Sequence, residues 1–168
     1  AAAAAAGEAV PEWMKADRAA VASFAAGGAD VVRPADSDAL AEWYVAHPDA
    51  GLVAGATDVG LWVTKQLREL KPVAFLGGVE DLKGIEVRGG QLHVGACVTI
   101  SSLREAVVER LPSFCDMLLF FFSTQVRNAA TIGGNIANGS PIGDGPPALI
   151  ALGAVLHLRR GDEMRSMS

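Results

Sequence analysis

The sequence has little cysteine, and its two cysteines do not have the spacing of a disulfide framework or a metal centre. Only Cys97 and Cys115 occur among the 168 residues, whereas zinc sites and small disulfide-rich folds need several closely spaced cysteines. We therefore interpret both as small buried hydrophobic residues and predict no metal site. Such cysteine usage is typical of a reducing compartment, so the expected location is the cytoplasm.

The sequence also lacks long apolar runs and clusters of basic charge. A membrane-spanning helix needs about 20 apolar residues, and the apolar run 117–122 is much shorter. A net charge of −5 without a basic stripe argues against nucleic acid as a partner. No charged segment precedes an apolar stretch and a cleavage site, so we predict no secretory signal.

The common arrangements of catalytic residues are missing as well. The three histidines, His47, His93 and His157, are scattered, and no Ser-His-Asp or Cys-His pattern accompanies them. Neither G-x-x-x-x-G-K-[ST] nor a G-x-G-x-x-G after a strand occurs. We therefore predict no catalytic side chain, and we expect the chain to hold a cofactor that brings its own chemistry.

Glycine and proline are instead concentrated in residues 131–147, TIGGNIANGSPIGDGPP. This composition predicts that the segment is neither a regular helix nor a strand. Short polar side chains that can bind a ligand at close range lie between the glycines: Thr131, Asn135, Asn138, Ser140 and Asp144. The alternative is a surface loop of turn residues. Arg127, just before the segment, is a candidate for neutralising a phosphate.

A second glycine-containing segment, residues 54–60, follows a predicted strand at 52–54. Both segments could present backbone N–H groups to phosphate oxygens. Asp58 and Asp144 each have an alternative role, as the N-cap of a following helix.

Strands and helices alternate along the rest of the chain, which indicates an α/β or α+β domain. The predicted strands are 31–32, 52–54, 73–76, 85–87, 91–94 and 154–160, and the predicted helices are 11–27, 37–47, 61–70, 103–110 and 113–123, with a further helical turn at 148–152. Gly89 and Gly90 predict a hairpin between the fourth and fifth strands. The last strand has no evident partner, so we expect the native protein to continue beyond it.

Both glycine-containing segments resemble the FAD-binding loops of the molybdenum hydroxylases. LVAGATDVG at 52–60 is similar to the first loop of that family, and QVRNAATIGGNI at 125–136, followed by SPIGD at 140–144, is similar to the second. The likeness extends over residues 30–165 and is greatest to the flavin domain of bacterial xanthine dehydrogenases.

The resemblance implies an α+β fold of the two-lobed FAD-binding type that vanillyl-alcohol oxidase and xanthine dehydrogenase share (the PCMH type), truncated at the C-terminus. It also implies a linker at 1–29 following an iron–sulfur domain, a first α/β lobe at 30–96, and an incomplete second lobe at 97–168. The cofactor-binding residues that it implies are Val53, Ala54, Gly55, Ala56, Thr57, Asp58, Val59, Gly60, Phe121, Thr131, Gly134, Asn135, Asn138, Ser140 and Asp144.

The function implied by the resemblance is electron transfer in purine hydroxylation. Electrons would pass from [2Fe–2S] clusters through FAD to NAD, with molybdopterin held by a large subunit in a hetero-oligomer. None of the cluster cysteines or the molybdopterin domain is present in this sequence. The alternatives are the flavin subunit of a related hydroxylase, such as carbon monoxide dehydrogenase or aldehyde oxidase, and a fragment that has lost FAD.

Overall fold

A computed structural model describes residues 31–70 and 72–168. The predicted helix at 11–27 and the predicted linker at 1–29 lie outside the described residues.

The first part of the fold is a three-stranded parallel sheet of order β1–β3–β2, formed by Val31–Val32 (β1), Gly51–Val53 (β2) and Val73–Phe75 (β3). Helix α1, Ser37–Ala46, connects β1 to β2, and helix α2, Val59–Thr64, connects β2 to β3. Crossover helices are what parallel strands require. These elements pack around a small core of Ala74, Leu76 and Cys97, with Leu40 and Trp43 against it.

Helix α1 agrees with its prediction, but α2 begins earlier and ends earlier than the predicted 61–70. It begins early because Ala56, at a φ of 56°, turns the chain so that the Gly60 N–H donates to the Ala56 carbonyl at 2.8 Å. It ends early because Leu67 has a φ of 53°, which a right-handed helix excludes.

The predicted hairpin is confirmed as β4, Ile85–Arg88, paired with β5, Gln91–Val94. Gly89 and Gly90 have φ of 57° and 80°, the left-handed conformations of a two-residue type I′ turn. Two short 3₁₀ helices, Leu76–Gly78 and Glu80–Leu82, lead from β3 into this hairpin.

Five helices form most of the second part: α3 (Ile100–Val107), α4 (Pro112–Leu119), α5 (Thr124–Ala129), α6 (Ile132–Asn138) and α7 (Gly145–Ala151). Their core contains Val98, Ile100, Leu103, Val107, Phe114, Cys115, Leu118, Phe121, Ala130 and Ile132. The hairpin contributes Leu92 and Val94 to this second core. The predicted boundary between lobes at residue 96 remains a prediction.

Helices α3 and α4 are offset from the predicted ranges 103–110 and 113–123. Thr99 caps α3, since its Oγ1 accepts the Ser102 N–H at 3.1 Å, so the helix begins before residue 103. Helix α4 stops at Leu119 because Phe122 has a φ of 53°. The prediction that 113–123 is one helix is therefore wrong at its C-terminal end.

The prediction that 131–147 contains no regular helix is wrong, because α6 and the start of α7 lie within it. Most of its glycines and prolines stand at helix ends, while Pro141 and Gly143 lie in the turn between α6 and α7. Thr131 is the N-cap of α6, and Gly139 closes that helix in the left-handed conformation, with a φ of 58°. Pro146 and Pro147 fall in the first turn of α7, where an N–H has no helical acceptor.

The last predicted strand, observed as β6 (Leu156–Arg160), has its partner within the chain. It pairs antiparallel with β7, Glu163–Met167, and an ion pair between Arg159 and Asp38 joins this hairpin to α1. We expected the chain to continue because this strand had no evident partner, and that premise is wrong. Within the described ranges, no helix is long and apolar enough to cross a bilayer.

Replacing Thr99 by Val should destabilise the fold by about 1 kcal/mol, because the isosteric side chain loses the N-cap acceptor of α3. Thr99→Ser keeps the acceptor and is the matched control. Chemical denaturation followed by circular dichroism measures both. Equal stabilities of the Val and Ser variants would contradict this role of Thr99.

Candidate functional site

The site is built around an antiparallel pairing of residues 96–100 with residues 130–133. The Ile100 N–H donates to the Ala130 carbonyl at 2.9 Å, and the Ile132 N–H donates to the Val98 carbonyl at 3.0 Å. The Gly133 N–H continues the pairing with the Ala96 carbonyl at 2.9 Å. This joint, as we call residues 96–100 and 130–133, places the start of α6 beside the segment that follows the β4–β5 hairpin.

The first loop, defined as residues 54–60, is held against the joint by Gly55. A Cβ atom on Gly55 would lie 1.9 Å from the Ala129 carbonyl oxygen and 3.0 Å from the Ala130 Cα. Only glycine permits so close an approach of two backbones. The first loop therefore contacts the C-terminal end of α5, directly before Thr131, the N-cap of α6.

A cavity of about 150 Å³ lies where these segments meet. The residues of its lining that matter here are Ala54, Gly55, Gly77, Lys83, Thr99 and Thr131. Pockets that enclose a whole drug-sized ligand are about 300–1,000 Å³. The cavity can therefore take only one part of a dinucleotide, and the rest would lie along the surface.

The first loop presents a row of free backbone donors. The N–H groups of residues 55–59 donate to no acceptor within the described residues. Consecutive N–H groups of this kind form an anion-binding concavity when they converge. The first loop thus has the donors that an oxyanion needs.

The first turn of α6, by contrast, has its donors occupied by protein acceptors. The N–H groups of Ile132 and Gly133 bond to carbonyls of the joint, that of Gly134 donates to Thr131 Oγ1 at 3.1 Å, and that of Asn135 donates to the Thr131 carbonyl at 3.0 Å. The expectation that both segments present N–H groups to phosphate thus holds for the first loop and fails for this turn.

The second segment, residues 131–144, offers side chains instead. Asn135 Oδ1 is buried and has no hydrogen-bond partner among the described residues, and it faces Gly145, on which a Cβ would lie 2.0 Å away. An unpaired buried acceptor of this kind is costly unless a ligand or water satisfies it. Asn138 and Asp144 are exposed, and Ser140 is half-buried.

The capping alternatives for Asp58 and Asp144 are not supported by the structure. Both residues stand at N-cap positions, before α2 and α7, but neither side chain accepts a backbone N–H there. Both carboxylates are exposed and remain available to a ligand.

Two predicted site residues point their side chains into the protein. Val53, at the end of β2, and Phe121, after α4, are each 3% exposed. Phe121 belongs to the second core and does not line the cavity. The neighbouring rings of Phe120 and Phe122 are exposed instead, by 84% and 69%.

The structure assigns Arg127 a different role from the predicted phosphate contact. Its Nη1 donates to the carbonyls of Leu119, Phe121 and Phe122 at 2.9, 3.3 and 2.6 Å, and its Nη2 donates to Thr124 Oγ1. Arg127 thus satisfies the free carbonyls at the end of α4. The cation on the cavity wall is Lys83, which sequence reasoning missed because it lies 23 or more residues from both glycine-containing segments.

Comparison with known proteins relates this arrangement to flavoproteins. A family model described as the FAD binding domain in molybdopterin dehydrogenase matches residues 23–168. Xanthine dehydrogenase 1 of Arabidopsis thaliana is 32% identical over 136 residues, which cover 74% of this chain and 10% of that protein.

Solved structures give a similar result. Quinoline 2-oxidoreductase from Pseudomonas putida 86 superposes with a TM-score of 0.75 at 26% identity, covering 81% of this chain and 48% of that one. Reconstituted CO dehydrogenase from Oligotropha carboxidovorans has a TM-score of 0.72 at 28% identity, covering 80% and 48%. The chain thus spans about a tenth of the curated relative and about half of the matching solved chains.

Replacing Gly55 by Ala should destabilise the fold by about 2 kcal/mol or more, because the added methyl would overlap the Ala129 carbonyl. Gly60→Ala is the matched control, since a Cβ there meets nothing within 4 Å. Urea denaturation of both variants tests the contact. A Gly55→Ala protein as stable as Gly60→Ala would show that the first loop is not held at the joint.

Proposed function

Because the chain belongs to the family of FAD-binding domains of the molybdopterin dehydrogenases, we propose that it holds FAD with the diphosphate on the first loop. The observation that carries this assignment is the row of N–H groups at 55–59, which have no acceptor among the described residues. Gly55, the first of these residues, lines a cavity large enough for one polar group of a dinucleotide. The residues present therefore fit FAD.

The second segment supplies the contacts to the rest of the cofactor. We assign the polar side chains of Asn135, Asn138 and Ser140 to this role, and the Oδ1 of Asn135 has no hydrogen-bond partner among the described residues. The Asp144 carboxylate would repel a diphosphate, so we assign it to cofactor hydroxyls. Thr131 and Gly134 act by holding the first turn of α6 in place.

The remaining predicted contacts are of two kinds. Ala54, Ala56, Thr57, Asp58, Val59 and Gly60 complete the first loop, while the buried side chain of Val53 leaves only its backbone available. Phe121 stays a predicted neighbour of the flavin ring, although its burial in the second core favours a packing role.

Bound FAD supplies the capacity to accept electrons and to pass them on, and this chain binds and orients it. We assign the electron path of a xanthine dehydrogenase, from [2Fe–2S] clusters to FAD and on to NAD during purine hydroxylation, with molybdopterin and the clusters held elsewhere in the enzyme. The 32% sequence identity to xanthine dehydrogenase 1 of Arabidopsis thaliana supports this choice. Two buried free cysteines are consistent with the cytoplasm, which belongs to the same proposal.

The second candidate is the flavin subunit of another molybdenum hydroxylase, which the likeness to the quinoline and CO enzymes favours. Mixing the dithionite-reduced protein with NAD discriminates between the two. Rapid reoxidation of the flavin by NAD is expected for the first candidate, whereas its absence favours the second.

Cofactor identity tests the flavin assignment itself. We expect mass spectrometry of the acid-released ligand from the full chain to give FAD. Release of FMN, or of no flavin from protein that also fails to bind added FAD, would contradict the proposal.

Replacing Asp144 by Ala should raise the dissociation constant for FAD about five- to thirtyfold, the effect of losing one hydrogen bond to a charged group, about 1–2 kcal/mol. The stability of the apo protein should not change, because the Asp144 side chain makes no capping bond. Titration of FAD into apo wild type, Asp144→Ala and the conservative control Asp144→Asn measures the effect. A lowered melting temperature at unchanged affinity would instead identify Asp144 as a cap.

A further inference from the structure

The lining of the cavity contains a single charged side chain among the described residues, that of Lys83. We propose that Lys83 binds the cofactor diphosphate directly and offsets part of its charge. This inference rests on the proposed function, since it assigns a charge partner to the same site.

The Lys83 ammonium is fixed at the cavity wall by two hydrogen bonds. Its Nζ donates to the Gly77 carbonyl oxygen at 2.7 Å and to Glu80 Oε1 at 2.7 Å. A lysine ammonium has three N–H donors, so one donor remains for a ligand. Gly77 also lines the cavity, which places the anchored end of the side chain at its edge.

The position of Lys83 is determined by the joint. The preceding residue, Leu82, accepts the Cys97 N–H at 2.8 Å through its carbonyl, and Cys97 lies in the cavity lining. Burial raises the pKa of the Cys97 thiol, and the Lys83 ammonium opposes that increase. The charge of the Lys83 side chain thus acts on Cys97, a residue of the cavity lining.

The charge around the site favours such a cation. A diphosphate brings negative charge into a chain of net charge −5, and the first loop itself carries the carboxylate of Asp58. The first loop, 54–60, contains no lysine or arginine, and the Arg127 guanidinium is bonded to carbonyls at the end of α4. Without a cation, backbone N–H groups alone would have to offset the negative charges of the diphosphate and of the Asp58 carboxylate. An ammonium at the cavity wall reduces the repulsion between these two groups.

The Glu80 carboxylate is the present partner of Lys83, and it is easily exchanged. The Glu80 side chain is 79% exposed and that of Lys83 is 36% exposed, and exposed ion pairs of this kind are weak. A diphosphate at the cavity would therefore compete with Glu80 for the ammonium without breaking a buried interaction.

The test compares a charged and an uncharged flavin. In the full chain, Lys83→Met should raise the dissociation constant for FAD by roughly ten- to hundredfold, as expected for a charge-assisted hydrogen bond. The weaker binding of riboflavin, which has no phosphate, should change by less than about twofold, the shift expected where no charged hydrogen bond is lost. Lys83→Arg should restore most of the FAD affinity. Lys65→Met, which removes the same charge at the C-terminal end of α2, is the matched control and should bind FAD like wild type.

The outcomes separate the two proposals. Equal FAD affinities of Lys83→Met and Lys65→Met, with wild type binding FAD, would overturn the role of Lys83 and leave the flavin assignment intact. Parallel losses of FAD and riboflavin binding would show that Lys83 only supports the fold, and would likewise overturn it. Wild type that binds neither flavin would overturn both proposals.

Discussion

The antiparallel pairing of residues 96–100 with residues 130–133 is the constraint on which the rest of the site depends. It occupies the N–H groups at the start of α6 with carbonyls from the segment that follows the β4–β5 hairpin. The same pairing presents Ala129 and Ala130 to Gly55. The pairing therefore positions both one wall of the cavity and the two alanines that the first loop contacts.

A division of roles follows from this constraint. The glycine pattern predicts that helix α6 binds phosphate through its N-terminal N–H groups. In the structure, the N–H groups of its first turn already donate to protein acceptors. The donors that have no acceptor among residues 31–70 and 72–168 lie in the first loop, which Ala56 turns by adopting a φ of 56°. A non-glycine residue pays about 1–2 kcal/mol for that conformation. Local strain of this kind is commonly found at functional sites, which agrees with a binding role for the loop.

Much of the fold was predictable from the sequence, and the errors have local causes. The β4–β5 hairpin was predictable because Gly89 and Gly90 have the chemistry of one turn type, and α1 was predictable because Asp36 provides its N-cap. The end of α4 was not predictable, because the positive φ at Phe122 depends on the hydrogen bond that the Arg127 side chain donates to the Phe122 carbonyl. Helix α6 was not predictable either, since glycine and proline favour loops by propensity. Whether they instead stand at the ends of a helix depends on tertiary contacts.

The candidate site shows the same limit. The first loop and the second segment could be identified from composition and from resemblance, because each is continuous in sequence. Lys83 could not, since only folding brings it to the cavity. The sequence does not show either which backbone N–H groups are available, because glycine-containing segments with free and with occupied N–H groups have similar compositions. Three-dimensional pairing decides which of the two keeps donors without an acceptor among the described residues.

Amide hydrogen exchange of the full chain, with and without FAD, tests this account most directly. Residues 55–59 have no acceptor among the described residues, so their amides should exchange rapidly in the apo protein and become protected when FAD is added. The amides of Ile132 and Gly133 are already bonded and should be protected in both states. Binding of FAD that leaves residues 55–59 in rapid exchange would contradict the account.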